Sequence, residues 1–209
     1  MSVLDQIAYF QGRRDEVPNQ ELARKLVKAR DRQGVREIAE NLWNENANVQ
    51  ADCIKVLDEV GALEPKMIAP YADSFLKLLA GKNNRLVWGA MDALSAIAAL
   101  EADAIFKHTA ALENAIEHGS VITRDKGIKT LAIVAAHKEA YRKRIFPFLL
   151  HHLETCRSQD VPQHSESTLV AVNGKNKNEF IRILEKRLPN MPASRATRIK
   201  RVIKSALAK

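Results

Sequence analysis

The sequence predicts an all-α fold, an array of about five to six antiparallel helix pairs. Three observations predict it. First, apolar positions between Asp31 and Glu154 recur every thirty-seven residues. The columns are Ile38, Phe75, Leu112 and Leu149; Leu42, Leu79, Ile116 and Leu153; Leu57, Leu94 and Leu131; and Val60, Ile97 and Val134. A fixed period of this length marks a repeat array. Second, the apolar residues inside each period fall at helical spacing, and the alternation of a strand is missing. Third, the connection inside each unit is only a few residues, which forces its two helices antiparallel.

The elements follow in order. Residues 2–11 place Val3, Leu4, Ile7, Ala8 and Phe10 at helical spacing and predict a helix, ended by Gly12 and the charged RRDE. Pro18 and Asn19 start another that runs to about Ala29, with Leu22, Ala23, Leu26 and Val27 on one face. Residues 1–30 thus form a degenerate end pair, as expected where one face meets water rather than a neighbour. Repeat one pairs 31–44 with 47–61; Asn46 and Asn48 are capping candidates for its second helix, and Gly61 and Pro65 close it. Repeat two pairs 66–80 with 84–99, with Gly81 as terminator and Asn83 or Asn84 as cap. Repeat three pairs 103–118 with 121–137, where Gly119 and Ser120 take the same two roles.

Repeat four begins at 140–155, with Pro147 expected to kink its first helix. Residues 157–167 are polar and loop-like, the columns slip by one, and a short second helix is expected at about 162–173. The last pair is 177–188 and 193–207, with Phe180, Ile181, Leu184 and Leu188, then Ile199, Val202, Ile203 and Leu207 inward. The whole chain, 1–209, reads as one repeat domain: regular over 31–156, irregular and basic over 157–209.

Composition narrows the function classes. With 209 residues, 46% of them hydrophobic, the chain has ample material for a core. Its two cysteines, Cys53 and Cys156, are far apart and match no metal or redox spacing, which suits a reducing compartment and argues against a disulfide scaffold. Asp5, Arg13 and Arg14 interrupt any secretory leader, so a cytoplasmic location is expected, with no membrane partner. The net charge of +8 is concentrated at one end. Residues 170–209 hold eleven Lys and Arg against two Glu, or +9; the remainder carries −1. Arg195, Arg198, Arg201 and Lys204 lie on the polar side of the last helix and are candidates for polyanion binding.

With two helices per unit, a period of thirty-seven and Asn-rich starts to the second helices (NENANVQ, GKNNRLV), the chain resembles the HEAT and armadillo-like repeat family. The resemblance covers roughly 31–156. It implies a HEAT-like solenoid, a right-handed α-α superhelix whose second helices line a concave face that binds a partner. The repeat array, together with the missing catalytic residues, makes the expected role a non-enzymatic interaction module for a protein or peptide, with no cofactor and no small-molecule substrate. The alternative it implies is a nucleic-acid-binding relative of the DNA alkylation-repair glycosylases, which hold aromatic residues and an aspartate in a basic cleft.

Residues that depart from their repeat column are the candidates for contact. Trp88 aligns with Ala51 and Asp125, and Asp92 with Lys55 and Lys129, so both point away from the first helices. Trp is over-represented among interface anchors. Arg85, Trp88, Asp92, Lys126 and Lys129 are therefore the candidate partner-binding residues. The charges along this face alternate in sign, which suits a polypeptide better than a phosphate backbone. Trp43 is expected to cover the gap between the end pair and repeat one. The six histidines show no His-x3-His pair with a third ligand, and no metal site is expected; His152 reads as a partly buried packing residue. No paired catalytic carboxylates, activated nucleophile or phosphate-cradling loop stands out.

Overall fold

The computed structural model describes residues 2–189 and 191–209. Among the described residues there are helices and turns and no strand. None of those helices is long and apolar enough to cross a membrane. The chain divides into two compact units, Met1–Lys126 and Gly127–Lys209.

The first unit holds α1 (Val17–Ala29), α2 (Arg32–Glu40), α3 (Ala47–Leu63), α4 (Ala72–Leu78), α5 (Asn84–Ile97), α6 (Ala102–Phe106), α7 (Thr109–His118) and the start of α8 (Val121–His137). Helix α3 packs between α1 and α5, so successive second helices lie side by side, and α2 and α4 cover α3 and α5 from the other side. The repeat columns explain why. Ile38, Leu42, Leu57, Val60, Phe75, Leu94, Ile97, Leu112 and Ile116 are all fully buried, and Leu79 is nearly so. Burying each such side chain stabilises the fold by about 1.5–3 kcal/mol.

The caps use short polar side chains that accept otherwise orphaned amides. Asn46 accepts from Asn48 N–H at 2.9 Å and Asn83 from Arg85 N–H at 3.0 Å. Ser120 Oγ accepts from Thr123 N–H at 3.2 Å at the start of α8. Helices α3 and α5 approach closely at Gly89, where a Cβ would stand 2.6 Å from Ile54 Cγ1. Gly61 does not end α3: it lies inside the helix, and its missing side chain admits Ile68 Cδ1.

Four further expectations are corrected. Residues 2–11 do not form a helix; only Leu4–Gln6 make a 3-10 turn, and Ile7 is extended. The amides of Ala8 and Tyr9 are taken by Asn19 Oδ1 and Asp52 Oδ2, at 2.9 and 2.7 Å. A segment this short gains too little from intrahelical bonding to resist such competition. The expected first helix of repeat two is broken into 3-10 turns at Pro65–Met67 and Ala69–Tyr71 before α4, because Pro70, inside the expected span, brings no amide hydrogen. That of repeat three is split at Lys107 and His108, where Thr109 Oγ1 donates to Phe106 O at 2.6 Å. Repeat two therefore has four helical pieces and repeat three has three, in place of the expected two. Trp43 covers nothing extensive: it is 54% exposed.

The second unit holds the rest of α8, then α9 (Glu139–Thr155), α10 (Val161–Thr168), α11 (Lys177–Arg187) and α12 (Ala193–Leu207). Helix α9 packs on α10 and α11, and α12 on both α10 and α11. Leu131, Val134, Leu149 and Leu153, the remaining column positions, are fully buried. Helix α9 runs through Pro147 without interruption. From α12, Ile199, Val202 and Ala206 are buried, whereas Leu207, expected inward, is 60% exposed. It lies about 100° around the helix from Ala206, off the buried stripe.

Candidate protein-binding face

The first unit presents one polar face built on α3 and α5. Lys55 lies on it among three carboxylates, its Nζ 2.7 Å from Glu59, 3.4 Å from Asp58 and 3.5 Å from Glu16 Oε2. The other oxygen of Glu16 pairs with Arg85. Glu16, just before α1, thus ties α3 to α5 with a single carboxylate. Arg85 also covers Trp88, its guanidinium carbon 4.2 Å from the ring centroid. One turn further along α5, Asp92 pairs with Lys126 of α8.

Electrostatics follow from this crowding. At Glu16, burial opposes ionisation, but the Arg85 hydrogen bond and the Lys55 charge outweigh it and hold the carboxyl below its ordinary value. Asp58 goes the other way: burial and the Asp92 charge push it up to about 6, and Lys55 only partly offsets them. Burial, with Asp52 and Glu37 adding to it, pushes the Cys53 thiol up to about 12, so it is no nucleophile at neutral pH. Asp52 is spent on structure, accepting from Tyr9 N–H and from Asn19 Nδ2 at 2.8 Å.

Beside this face lies a groove of about 630 Å³, lined by Tyr9, Arg13, Arg14, Glu16, Asn48, Asp52 and Arg85 among others. Tyr9, which lines it, forms a T-shaped pair with Phe10, centroids 5.1 Å apart, the two being 40% and 53% exposed. This aromatic pair was not legible in the sequence, because residues 2–11 read as a packed helix.

The sequence candidates are thus partly brought together. Arg85, Trp88, Asp92 and Lys126 share the face, with Trp88 half-buried beneath Arg85. Lys129 is exposed on α8 and belongs to the second unit. Of the basic candidates on α12, Arg198 is held by Glu166 of α10 through two bonds of 2.9 and 2.6 Å. Arg195 is half-buried, and Arg201 and Lys204 are exposed. The structure also gathers three residues that linear spacing did not single out. Side-chain donors of His152, Cys156 and His164 lie within 4.8 Å of one another in the second unit. The signal was there as His152-x3-Cys156 at a helix end, but its partner is supplied only by the turn into α10.

No protein-family model and no curated protein matches the chain. Solved structures do. An engineered protein from a structural genomics consortium aligns over 100% of this chain and 98% of its own, at 17% identity and a TM-score of 0.71. A designed armadillo repeat protein aligns over 90% of this chain and 86% of its own, at 12% identity and a TM-score of 0.69; it was solved in complex with the peptide (KR)4. A crystal structure of Uso1-2 aligns over 88% of this chain but 34% of its own, at 14% identity and a TM-score of 0.63. The chain has an armadillo/HEAT-like helical repeat fold.

Proposed function

We propose that the protein is a non-enzymatic module that binds a polypeptide segment along the α3–α5 face of its first unit. The observation that carries this reading is the indole of Trp88, half-buried, topped by Arg85 and flanked by Glu16, Asp92 and Lys126. An aromatic anchor within a rim of both signs fits a partner that offers backbone amides and side chains of both charges. The likeness to a designed armadillo protein bound to a peptide supports the same class of partner.

Nucleic acid is the weaker reading. Arg85, Lys55 and Lys126 are each engaged by carboxylates, so a phosphate would have to displace an existing ion pair before gaining one. The test is capture of partners from native lysate by the intact protein and by Trp88→Ala, with and without nuclease. A partner retained after nuclease and lost with Trp88→Ala supports the proposal. Capture that disappears with nuclease, or that ignores Trp88, overturns it.

A further inference from the structure

We propose that His152, Cys156 and His164 form a binding site for a zinc-class transition-metal ion. The site lies at the α9–α10 turn of the second unit. His152 stands on the last turn of α9 and Cys156 is its C-cap residue, four positions on, so both leave the helix on one side. The chain reverses through residues 157–160, and α10 returns His164 to the same place as its fourth residue. His164 is completely buried; His152 and Cys156 are half-buried.

The donors are close to coordination distance. His152 Nε2 and His164 Nδ1 are 2.9 Å apart, and the ligand atoms of all three residues lie within 4.8 Å of one another. Around tetrahedral zinc, with bonds of about 2.0–2.1 Å to nitrogen and 2.3 Å to sulfur, neighbouring donors stand roughly 3.3–3.7 Å apart. Seating an ion requires the two nitrogens to part by about half an ångström and the sulfur to swing inward. The swing is a rotation about the Cys156 Cα–Cβ bond, which gives up the weak donation of the thiol to Leu153 O at 4.0 Å.

The surroundings hold these residues in place. Cys156 N–H donates to His152 O at 2.8 Å, and Arg187 Nη2 donates to Cys156 O at 2.5 Å. Arg157 clamps Asp160 at 2.8 and 3.1 Å, which fixes the turn. A site whose backbone is already ordered loses little entropy on binding.

The donor set defines the ion. Two imidazoles and a thiolate favour zinc and its borderline-soft neighbours over magnesium or calcium, which require oxygen ligands. Without metal, one imidazole donates its N–H to the facing nitrogen of the other. On binding, that proton shifts to the remote nitrogen of its own ring, so both facing nitrogens offer lone pairs. The thiol releases its proton to solvent, one proton per ion bound. Three protein donors leave a fourth position, and the half-exposed side of the site admits water to it.

The test uses the full chain, free of any histidine tag and stripped by chelator, titrated with Co²⁺ and then Zn²⁺. One equivalent of cobalt should give a thiolate-to-cobalt charge-transfer band and tetrahedral visible bands, zinc should abolish both, and saturating zinc should raise Tm. Cys156→Ser should remove the charge-transfer band, and His152→Asn should weaken binding by roughly tenfold or more. His151→Ala, an exposed neighbour on the same turn, should change nothing. His164→Asn empties a buried position and can unfold the unit, so the decision rests on the two half-buried positions, with helicity checked by circular dichroism. Absence of the charge-transfer band in the folded wild-type chain overturns the proposal, as does cobalt binding that survives both Cys156→Ser and His152→Asn.

Discussion

The guanidinium of Arg85 lies 4.2 Å above the indole of Trp88 while its nitrogen pairs with Glu16. One side chain thus shields an aromatic surface and ties α5 to the residue before α1. A cation over a half-buried ring contributes on the order of 1 kcal/mol. In a Trp43→Phe background, Arg85→Ala should therefore red-shift Trp88 emission and increase acrylamide quenching, with only a small loss of stability. An unchanged spectrum would mean that Arg85 does not cover the ring in solution.

Asp58 gives this face a pH dependence. Its side chain is 14% exposed, and its carboxyl is pushed up to about 6 from an ordinary value of 3.8. A raised folded-state value means that the native chain holds the proton more tightly than the unfolded one. The associated stability is full below about pH 4 and is lost as pH rises through about 6. A rise of that size corresponds to at most about 3 kcal/mol. Asp58→Asn should gain on the wild type by up to that amount between pH 4 and 7, measured by urea denaturation. Glu16 acts in the opposite sense, adding stability above its ordinary value of 4.5 that is lost on acidification, so the comparison must be between the two proteins at each pH. A difference that stays flat would contradict the raised carboxyl.

Core position decides the cost of truncation. Leu94 is fully buried in α5, whereas Leu207 is 60% exposed. Leu94→Ala should cost roughly 2–5 kcal/mol. Leu207→Ala should stay within about 0.5 kcal/mol, as surface changes do. Equal losses in chemical denaturation would contradict this assignment of the core.

The columns Ile38–Phe75–Leu112 and Leu57–Leu94 were legible because burial in a repeat imposes a period that survives changes in residue type. Asn46 and Asn83 were legible as caps because an orphaned amide requires a short acceptor nearby. Residues 2–11 misled for a physical reason. Their spacing is helical, but their amides bond to Asn19 and Asp52, eleven and forty-three positions away. Trp43 misled too, since hydrophobic bulk predicts burial only on average. For the site, Trp88 and Asp92 could be placed on one face by column alone. Their cover by Arg85 and their tie to Lys126 depend on how α5 meets its neighbours. Of the His152–Cys156–His164 cluster only the His152-x3-Cys156 spacing stood in the sequence; a four-residue turn, not a period, sets the register that adds His164.

Gly89 tests how closely α3 and α5 meet. An added Cβ would stand 2.6 Å from Ile54 Cγ1 and 3.2 Å from its Cγ2, inside van der Waals contact. Gly89→Ala should cost about 1–3 kcal/mol despite alanine's better helix propensity. Because both obstructing atoms belong to Ile54, Ile54→Ala should accommodate the new methyl. The double variant should then be more stable than the sum of the single losses predicts. Strict additivity in denaturant titrations would show that the two helices stand further apart.

The basic ridge of α12 is smaller than its composition implies, because Glu166 holds Arg198 through both guanidinium bonds. That leaves Arg195, Arg201 and Lys204 of the four candidate cations for an external anion. Each phosphate neutralised contributes about −0.9 to the slope of log affinity against log salt for duplex DNA. Three contacts set a slope near −3, so binding to a generic duplex should be measurable at low salt and lost near physiological salt. Glu166→Ala releases Arg198 without touching the ridge itself and should steepen the slope by about one. Arg201→Glu with Lys204→Glu should abolish binding. A slope unchanged by Glu166→Ala would mean that Arg198 is already available, and retention of binding by the double charge reversal would move the anion site off α12.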